Sequence, residues 1–137
     1  METVADEWIV PVMAQPREIS VRLPEKMVMP VLEQEGRKLY LAEDYEIILE
    51  TLDSGNLDAT IRTITGYDSE RLTVIQSRQG DAERYDFVWT AAGERGGRLG
   101  RGAILDDGSY HYCLAALRDA EDPLIVWQDV FDSFSLV

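Results

Sequence analysis

The sequence predicts an α+β fold, in which an antiparallel sheet of about six to eight strands carries two amphipathic helices as an α/β/α sandwich. Three observations lead to this prediction. Most segments alternate apolar and polar residues, two segments instead repeat apolar residues at helical spacing, and short turn sequences separate the segments. Alternation is typical of strands with one buried face, and short turns join antiparallel neighbours.

The first part of the chain predicts hairpins. Pro11 and Pro16 make residues 1–18 an irregular arm, and Pro24 is expected to end the first strand. Strands are expected at 19–23, 27–32, 38–42 and 45–52, with turns at 35–37 and 43–44.

The two helices follow from apolar residues three and four positions apart. The first is predicted from Ser54 to Thr65, with Asp53-Ser54 as N-cap and Gly66 as C-cap, and the second starts at Asp122-Pro123. Their apolar faces are Leu57, Ile61 and Ile64 in the first, and Leu124, Trp127, Val130, Phe131 and Phe134 in the second. Further strands are expected at 72–75, 85–90, 99–105, 110–117 and 134–136, with turns at 79–81 and at Asp107-Gly108.

Composition limits the classes of function. The 137 residues fit one domain with a single core, and the net charge of −13 would repel nucleic acid and anionic membranes. We therefore expect that neither nucleic acid nor a membrane is a partner, and that the partner is a protein. The one cysteine, Cys113, cannot form an internal disulfide.

No segment reaches the ~18 apolar residues of a membrane-spanning helix. The first residues are acidic where a signal peptide needs lysine or arginine. We therefore expect a soluble protein that is cytoplasmic as given, or extracytoplasmic if a signal or anchor is missing from the sequence.

The second half of the chain resembles a known family. This half contains an aromatic strand at 85–90, the Asp-Gly hairpin, Tyr110-His111-Tyr112 and a helix with Trp127, Val130 and Phe131 that leads into Ser133-Phe134. Together these features are similar to the PsbP-like superfamily, which includes DcrB-type lipoproteins. The likeness covers about residues 45–137. The resemblance implies an α/β/α sandwich on an antiparallel sheet and an accessory or binding role. It assigns a function to no particular residue of this chain.

One basic segment stands out on this acidic chain. Residues 93–102 hold five of the ten glycines together with Arg95, Arg98 and Arg101. Glycine lets a backbone approach an anion closely, and arginine pairs with carboxylates through two parallel hydrogen bonds. These arginines are the candidate contact for an anion or an acidic partner. The alternative is a glycine-rich hairpin end whose arginines pair with the protein's own acids.

The chain predicts no catalytic, metal or cofactor site. His111 and Cys113 lie on one strand face, but two ligands do not make a metal centre, and we expect both to be structural. The pairs Glu43-Asp44, Asp106-Asp107 and Glu121-Asp122 match turns and do not match a calcium loop. Most aromatic residues are expected to pack between sheet and helix, and a ligand pocket is the alternative.

The sequence therefore favours a non-catalytic binding or accessory module of unknown ligand, and one form of it that we expect is the folded part of a bacterial cell-envelope protein. The alternative is a small hydrolase that uses carboxylates. A cleft with converging titratable groups would favour the hydrolase.

Overall fold

The computed structural model describes residues 15–24, 30–41, 45–53, 55–91, 97–119 and 127–137. The strands are β1 (Ile19–Ser20), β2 (Leu32–Gln34), β3 (Arg37–Leu41), β4 (Tyr45–Asp53), β5 (Ile75–Gln79), β6 (Ala82–Ala91), β7 (Arg98–Asp106), β8 (Tyr110–Asp119) and β9 (Ser135–Leu136). The helices are α1 (Leu57–Thr65) and α2 (Trp127–Ser133), and a 3₁₀ turn spans Ser69–Arg71.

Seven strands form one antiparallel sheet in the order β2-β3-β4-β8-β7-β6-β5. Strands β2 to β4 make one meander and β5 to β8 another, and the nine-residue pairing of β4 with β8 joins them. The short strands β1 and β9 pair separately. The predicted α+β class and the antiparallel sheet are confirmed.

The two helices cover opposite faces of the large sheet. On the face that we call the α2 face, Phe131 and Phe134 pack with Tyr112 in a buried cluster. On the other, the α1 face, Ile61 packs with residues such as Phe87. The α/β/α layering follows from this arrangement, because each helix buries its apolar stripe against one side of the sheet.

Helix α1 begins later than the sequence suggested. The predicted N-cap at Asp53-Ser54 is wrong, because Asp53 ends β4 and Asn56 caps the helix with its side chain, which accepts the N–H of Asp58 at 2.9 Å. The predicted C-cap is correct: Gly66 has φ 81° and donates its N–H to the carbonyl of Arg62.

Three predicted strands differ in extent. Residues 72–74, which follow the 3₁₀ turn, are not a strand, so the strand expected at 72–75 is wrong and β5 starts only at Ile75. The first strand stops at Ser20, and the strand expected at 27–32 is found at Leu32–Gln34, with 25–29 outside the described residues. The start of the second helix at Asp122-Pro123 and arm residues 1–14 also lie outside them.

The hairpin turns predicted at 35–37, 79–81 and Asp107-Gly108 agree with the structure, and the turn predicted at 43–44 lies outside the described residues. Gly36, Gly80 and Gly108 all have positive φ, which side chains other than glycine rarely adopt. At the β7–β8 turn the Asp106-Asp107 pair caps backbone N–H groups, as is typical of aspartates in turns. Asp106 accepts the N–H of Gly108, and Asp107 accepts those of Ser109 and Tyr110. The pairs Glu43-Asp44 and Glu121-Asp122 lie outside the described residues.

Candidate functional site

A cleft of about 910 Å³ opens where β6, β7 and β8 pass the start of α2. Strand register places Val88 directly opposite Arg101 and Leu99 directly opposite Arg118, all on the α2 face. We call this site the arginine cleft. Its apolar walls include Leu72, Val88 and Leu99, and its cationic residues are Arg71, Arg101 and Arg118.

The segment after α1 forms one border of the arginine cleft. Strand β5 pairs with β6 only as far as Asp86, so the remaining outer edge of β6 meets this segment. There the hydroxyl of Tyr67 donates to the carbonyl oxygen of Thr90 at 2.8 Å. The ion pair of Arg62 with Asp68 further ties the segment to α1. Arg71 and Leu72 are thereby brought to the sheet edge.

Arg101 is held in place by an aromatic ring. Its guanidinium carbon lies 4.3 Å from the ring centroid of buried Phe131 in α2, which is a cation–π contact. This contact restricts the position of the guanidinium, whose N–H groups can also bind an oxyanion. The side chain is thus positioned beside the cleft before any ligand arrives.

The local charge of the arginine cleft opposes that of the whole chain. None of its described lining residues is acidic, although the chain has 26 acidic residues and 13 basic ones. Within the described part of the chain, Arg71 and Arg101 take part in no ion pair. Val88, opposite Arg101, exposes 64% of its surface. The cleft therefore combines apolar surface with positive charge.

The three arginines of residues 93–102 do not form one patch. Arg98 and Arg101 are three residues apart on β7 and so lie on opposite faces of the sheet. Arg98 pairs with Glu46 of β4 at 3.2 Å, which is the alternative that the sequence left open. Arg95 lies outside the described residues. Of the three, the structure places Arg101 in the cleft.

The glycines of the same segment serve packing. Gly100 and Gly102 lie inside β7, directly opposite Trp89 and Phe87 of β6. A Cβ atom at either position would stand 2.6 Å from ring atoms of these aromatic residues. The rings therefore cover the glycine backbone on the α1 face, and at these two positions a glycine-rich hairpin end is the wrong description.

His111 is the buried middle member of a chain of three polar side chains. Its Nε2 lies 3.2 Å from a carboxylate oxygen of Asp106, and its Nδ1 lies 2.7 Å from the hydroxyl of Thr60 in α1. Because a carboxylate only accepts, Nε2 carries the proton, and in the neutral ring Nδ1 accepts from Thr60. The ring is completely buried and Thr60 is 6% exposed. This chain fastens α1 to the sheet, and its His111 ring and Thr60 hydroxyl lack the solvent access that a catalytic base or nucleophile needs.

Cys113 is buried on the same α1 face. Burial, with a smaller contribution from the Glu50 carboxylate, raises the pKa of its thiol far above the usual range. The thiol therefore stays protonated at neutral pH and is a poor nucleophile or metal ligand. Among the described residues, no three His, Cys, Asp or Glu side chains converge as a metal site would require.

Asp107 and Tyr112 connect the β7–β8 turn to the N-terminal arm. The Tyr112 hydroxyl donates to Asp107 at 3.0 Å and accepts the N–H of Arg17 at 2.9 Å. Burial raises the pKa of Asp107, but hydrogen bonds from the Ser109 and Tyr110 N–H groups and from Tyr112 outweigh it, so the pKa is lowered. Burial first, then the Asp107 carboxylate, raises the pKa of Tyr112. This contact is structural.

The sequence did not single out Arg71, Leu72 or Val88 as site residues. Leu72 was assigned to a strand, and the alternation of β6 gave no sign that Val88 would stay exposed. They become neighbours only because β5 is short and the segment after α1 takes its place beside β6. That arrangement depends on tertiary contacts.

Neither helix, over its described length, has the size and apolar character needed to cross a membrane. No family model matches the chain, and no curated protein matches it.

Proposed function

We propose that this protein is a non-catalytic binding module and that the arginine cleft is its binding site. The observation that carries the proposal is the composition of the cleft. Apolar walls lie together with Arg71 and Arg101, which form no ion pair with a described carboxylate, on a chain of net charge −13. A volume of about 910 Å³ lies within the ~300–1,000 Å³ typical of ligand sites.

The chemistry of the lining supports binding over catalysis. Arginine does not exchange protons near neutral pH, and the hydroxyl of Tyr67 already donates to a backbone carbonyl. The histidine that would serve best as a general base is buried between Asp106 and Thr60. A carboxylate-dependent hydrolase, the alternative, would need acids in the cleft, and its described lining has none.

An accessory role like that of the PsbP-like superfamily is part of the proposal. The α/β/α layering on an antiparallel sheet agrees with the fold that the resemblance implies. Two finer proposals rest on the sequence: a place in the bacterial cell envelope and, as the alternative to a small ligand, a protein partner with an acidic segment. For an acidic partner, Arg101 is the contact that the cleft favours.

The test uses anilinonaphthalene sulfonate, a fluorescent anion with apolar rings, titrated into the folded protein. We expect saturable binding of one molecule, and weaker binding to Arg71→Gln. Arg78→Gln is the matched control, because Arg78 is an exposed arginine that pairs with Glu83 on β6. Equal binding by both variants would place the site elsewhere, and no saturable binding would overturn the proposal.

A further inference from the structure

We propose that the ligand of the arginine cleft is a small amphipathic carboxylate, a single carboxyl group on an apolar body such as an alkyl chain. This inference rests on the proposed function and adds the chemical class of the ligand. It follows from three features: the guanidinium held against Phe131, the apolar surface beside it, and the charge of the molecule.

Arg101 and Arg71 would receive the carboxylate. The cation–π contact with Phe131 holds the Arg101 guanidinium at the cleft, and two N–H groups of a guanidinium match the two oxygens of a carboxylate. A pre-ordered side chain loses little conformational entropy on binding. Arg71 reaches the same cleft from the segment after α1 and adds a second positive charge.

The apolar body would lie against Leu72, Val88 and Leu99. Val88 faces the same side of the sheet as Arg101, directly opposite it, so charge and apolar surface are adjacent. Val88 is 64% exposed, and an apolar ligand that covered it would remove this apolar surface from water, which favours binding. An inorganic anion would use the arginines alone and leave this apolar surface in water.

The net charge of −13 favours a small ligand over an acidic protein. A protein with many acids would be repelled by the whole molecule at long range. A ligand with one carboxylate is influenced mainly by the arginines within about one Debye length, ~8 Å at physiological ionic strength. A local positive site on an acidic protein therefore selects ligands of low charge.

The experiment compares dodecanoate, dodecanol, dodecyltrimethylammonium and acetate by isothermal titration calorimetry, below the concentration at which any of them forms micelles. We expect dodecanoate to bind one per chain, and the alcohol and the cation at least about tenfold more weakly, because each lacks the charge-assisted hydrogen bonds. Acetate should give no measurable binding. Arg71→Gln and Arg101→Gln should each weaken dodecanoate binding, and Arg78→Gln should not.

The outcomes separate the two proposals. If dodecanol or the cation binds as tightly as dodecanoate, and Val88→Lys weakens that binding, the cleft binds ligands but the carboxylate inference is wrong. If a peptide of alternating Glu and Leu binds more tightly than dodecanoate, the ligand is a protein segment and the small-molecule inference is overturned. If none of these probes binds, both proposals fail. Arg71 is exposed, so a loss in Arg71→Gln does not reflect misfolding.

Discussion

At the scale of single residues, the strongest constraint is the contact between glycines of β7 and aromatic rings of β6. Trp89 and Phe87 are buried, with ring centroids 5.8 Å apart, and each lies opposite a glycine. The absence of a side chain at Gly100 and Gly102 leaves the space that these rings occupy. Glycine in a strand is otherwise unfavourable, so packing decides the residue type here.

Gly100→Ala should destabilise the fold by about 1–3 kcal/mol, because the added Cβ displaces the Trp89 ring in a close-packed region. The matched control is Gly55→Ala, where a Cβ would meet no atom within 4 Å. Urea denaturation measures both. Equal stability of the two variants would show that the Trp89 ring moves aside freely.

Asp107 gives the stability a predictable pH dependence. Its folded pKa lies below the ordinary 3.8, so the carboxylate stabilises the fold above pH 3.8, and that contribution is lost as the pH falls through the folded pKa. Asp107→Asn should therefore be less stable than the wild type at pH 7, and the difference should shrink below pH 3.8. Denaturation at a series of pH values tests this.

The control for that series is Asp53→Asn, an exposed acid at the end of β4. Its effect should be smaller at pH 7. A difference between Asp107→Asn and wild type that persists unchanged at pH 2 would contradict the role of the Asp107 carboxylate.

Part of the candidate site was predictable from single residues. Arg101 was among the arginines that the sequence indicated, because an arginine next to glycines on an acidic chain is unusual. Arg98 was grouped with it by proximity in sequence. The alternation of strand faces separates the two, and Glu46, distant in the sequence, pairs with Arg98.

At the scale of elements, α1 is attached to the sheet by a polar contact as well as by its apolar stripe. The Thr60 hydroxyl meets the His111 ring at 2.7 Å in the buried layer beneath the helix. A buried nitrogen left without a partner costs ~1–3 kcal/mol. The apolar stripe places the helix on the sheet but does not determine where along the strands it lies. The contact between Thr60 and His111 determines that position.

Thr60→Val should therefore destabilise the fold by about 1–3 kcal/mol, although valine is nearly isosteric with threonine and more apolar. Thr63→Val is the control, since Thr63 is exposed on the same helix and its hydroxyl donates to the carbonyl of Ala59 and not to the sheet. If guanidinium denaturation gave equal losses for both, the bond to His111 would contribute nothing specific.

Helix α2 is attached through Phe131, which is completely buried and also supports Arg101. Phe131→Ala should cost about 3–5 kcal/mol, as is typical for buried aromatic residues. Asp132→Ala, an exposed position in the same helix, should change stability little. A loss below about 1 kcal/mol in Phe131→Ala would show that α2 is peripheral to the core.

Element type was more predictable than element boundaries. Alternation identified β4 and β6, the turns identified β3 and β7, and the apolar run at 110–117, which is buried on both faces, identified β8. The start of α1 was misplaced because Ser54 and Asn56 are both good caps, and the length of β4 decides which of them is used. The prediction of a strand at 72–75 was wrong because Leu72 and Val74 pack against the core from a loop.

At the scale of the whole molecule, the fold was predictable and the cleft was not. The apolar pattern and the turns specify an antiparallel sheet between two helices. The arginine cleft depends on a mismatch between strands: β6 extends past the end of β5, and the segment after α1 borders the uncovered edge. No local pattern encodes such a mismatch. The net charge was visible from the sequence, but its local reversal at the cleft required the structure.

The central claim is that this reversal marks the binding site, and amide chemical-shift mapping by NMR tests it most directly. On titration with anilinonaphthalene sulfonate, we predict the largest shifts at Leu72, Val88, Leu99 and Arg101. Residues on the far strands β2 and β3 should shift little. Shifts concentrated on β2 and β3, or spread evenly over the protein, would contradict the claim.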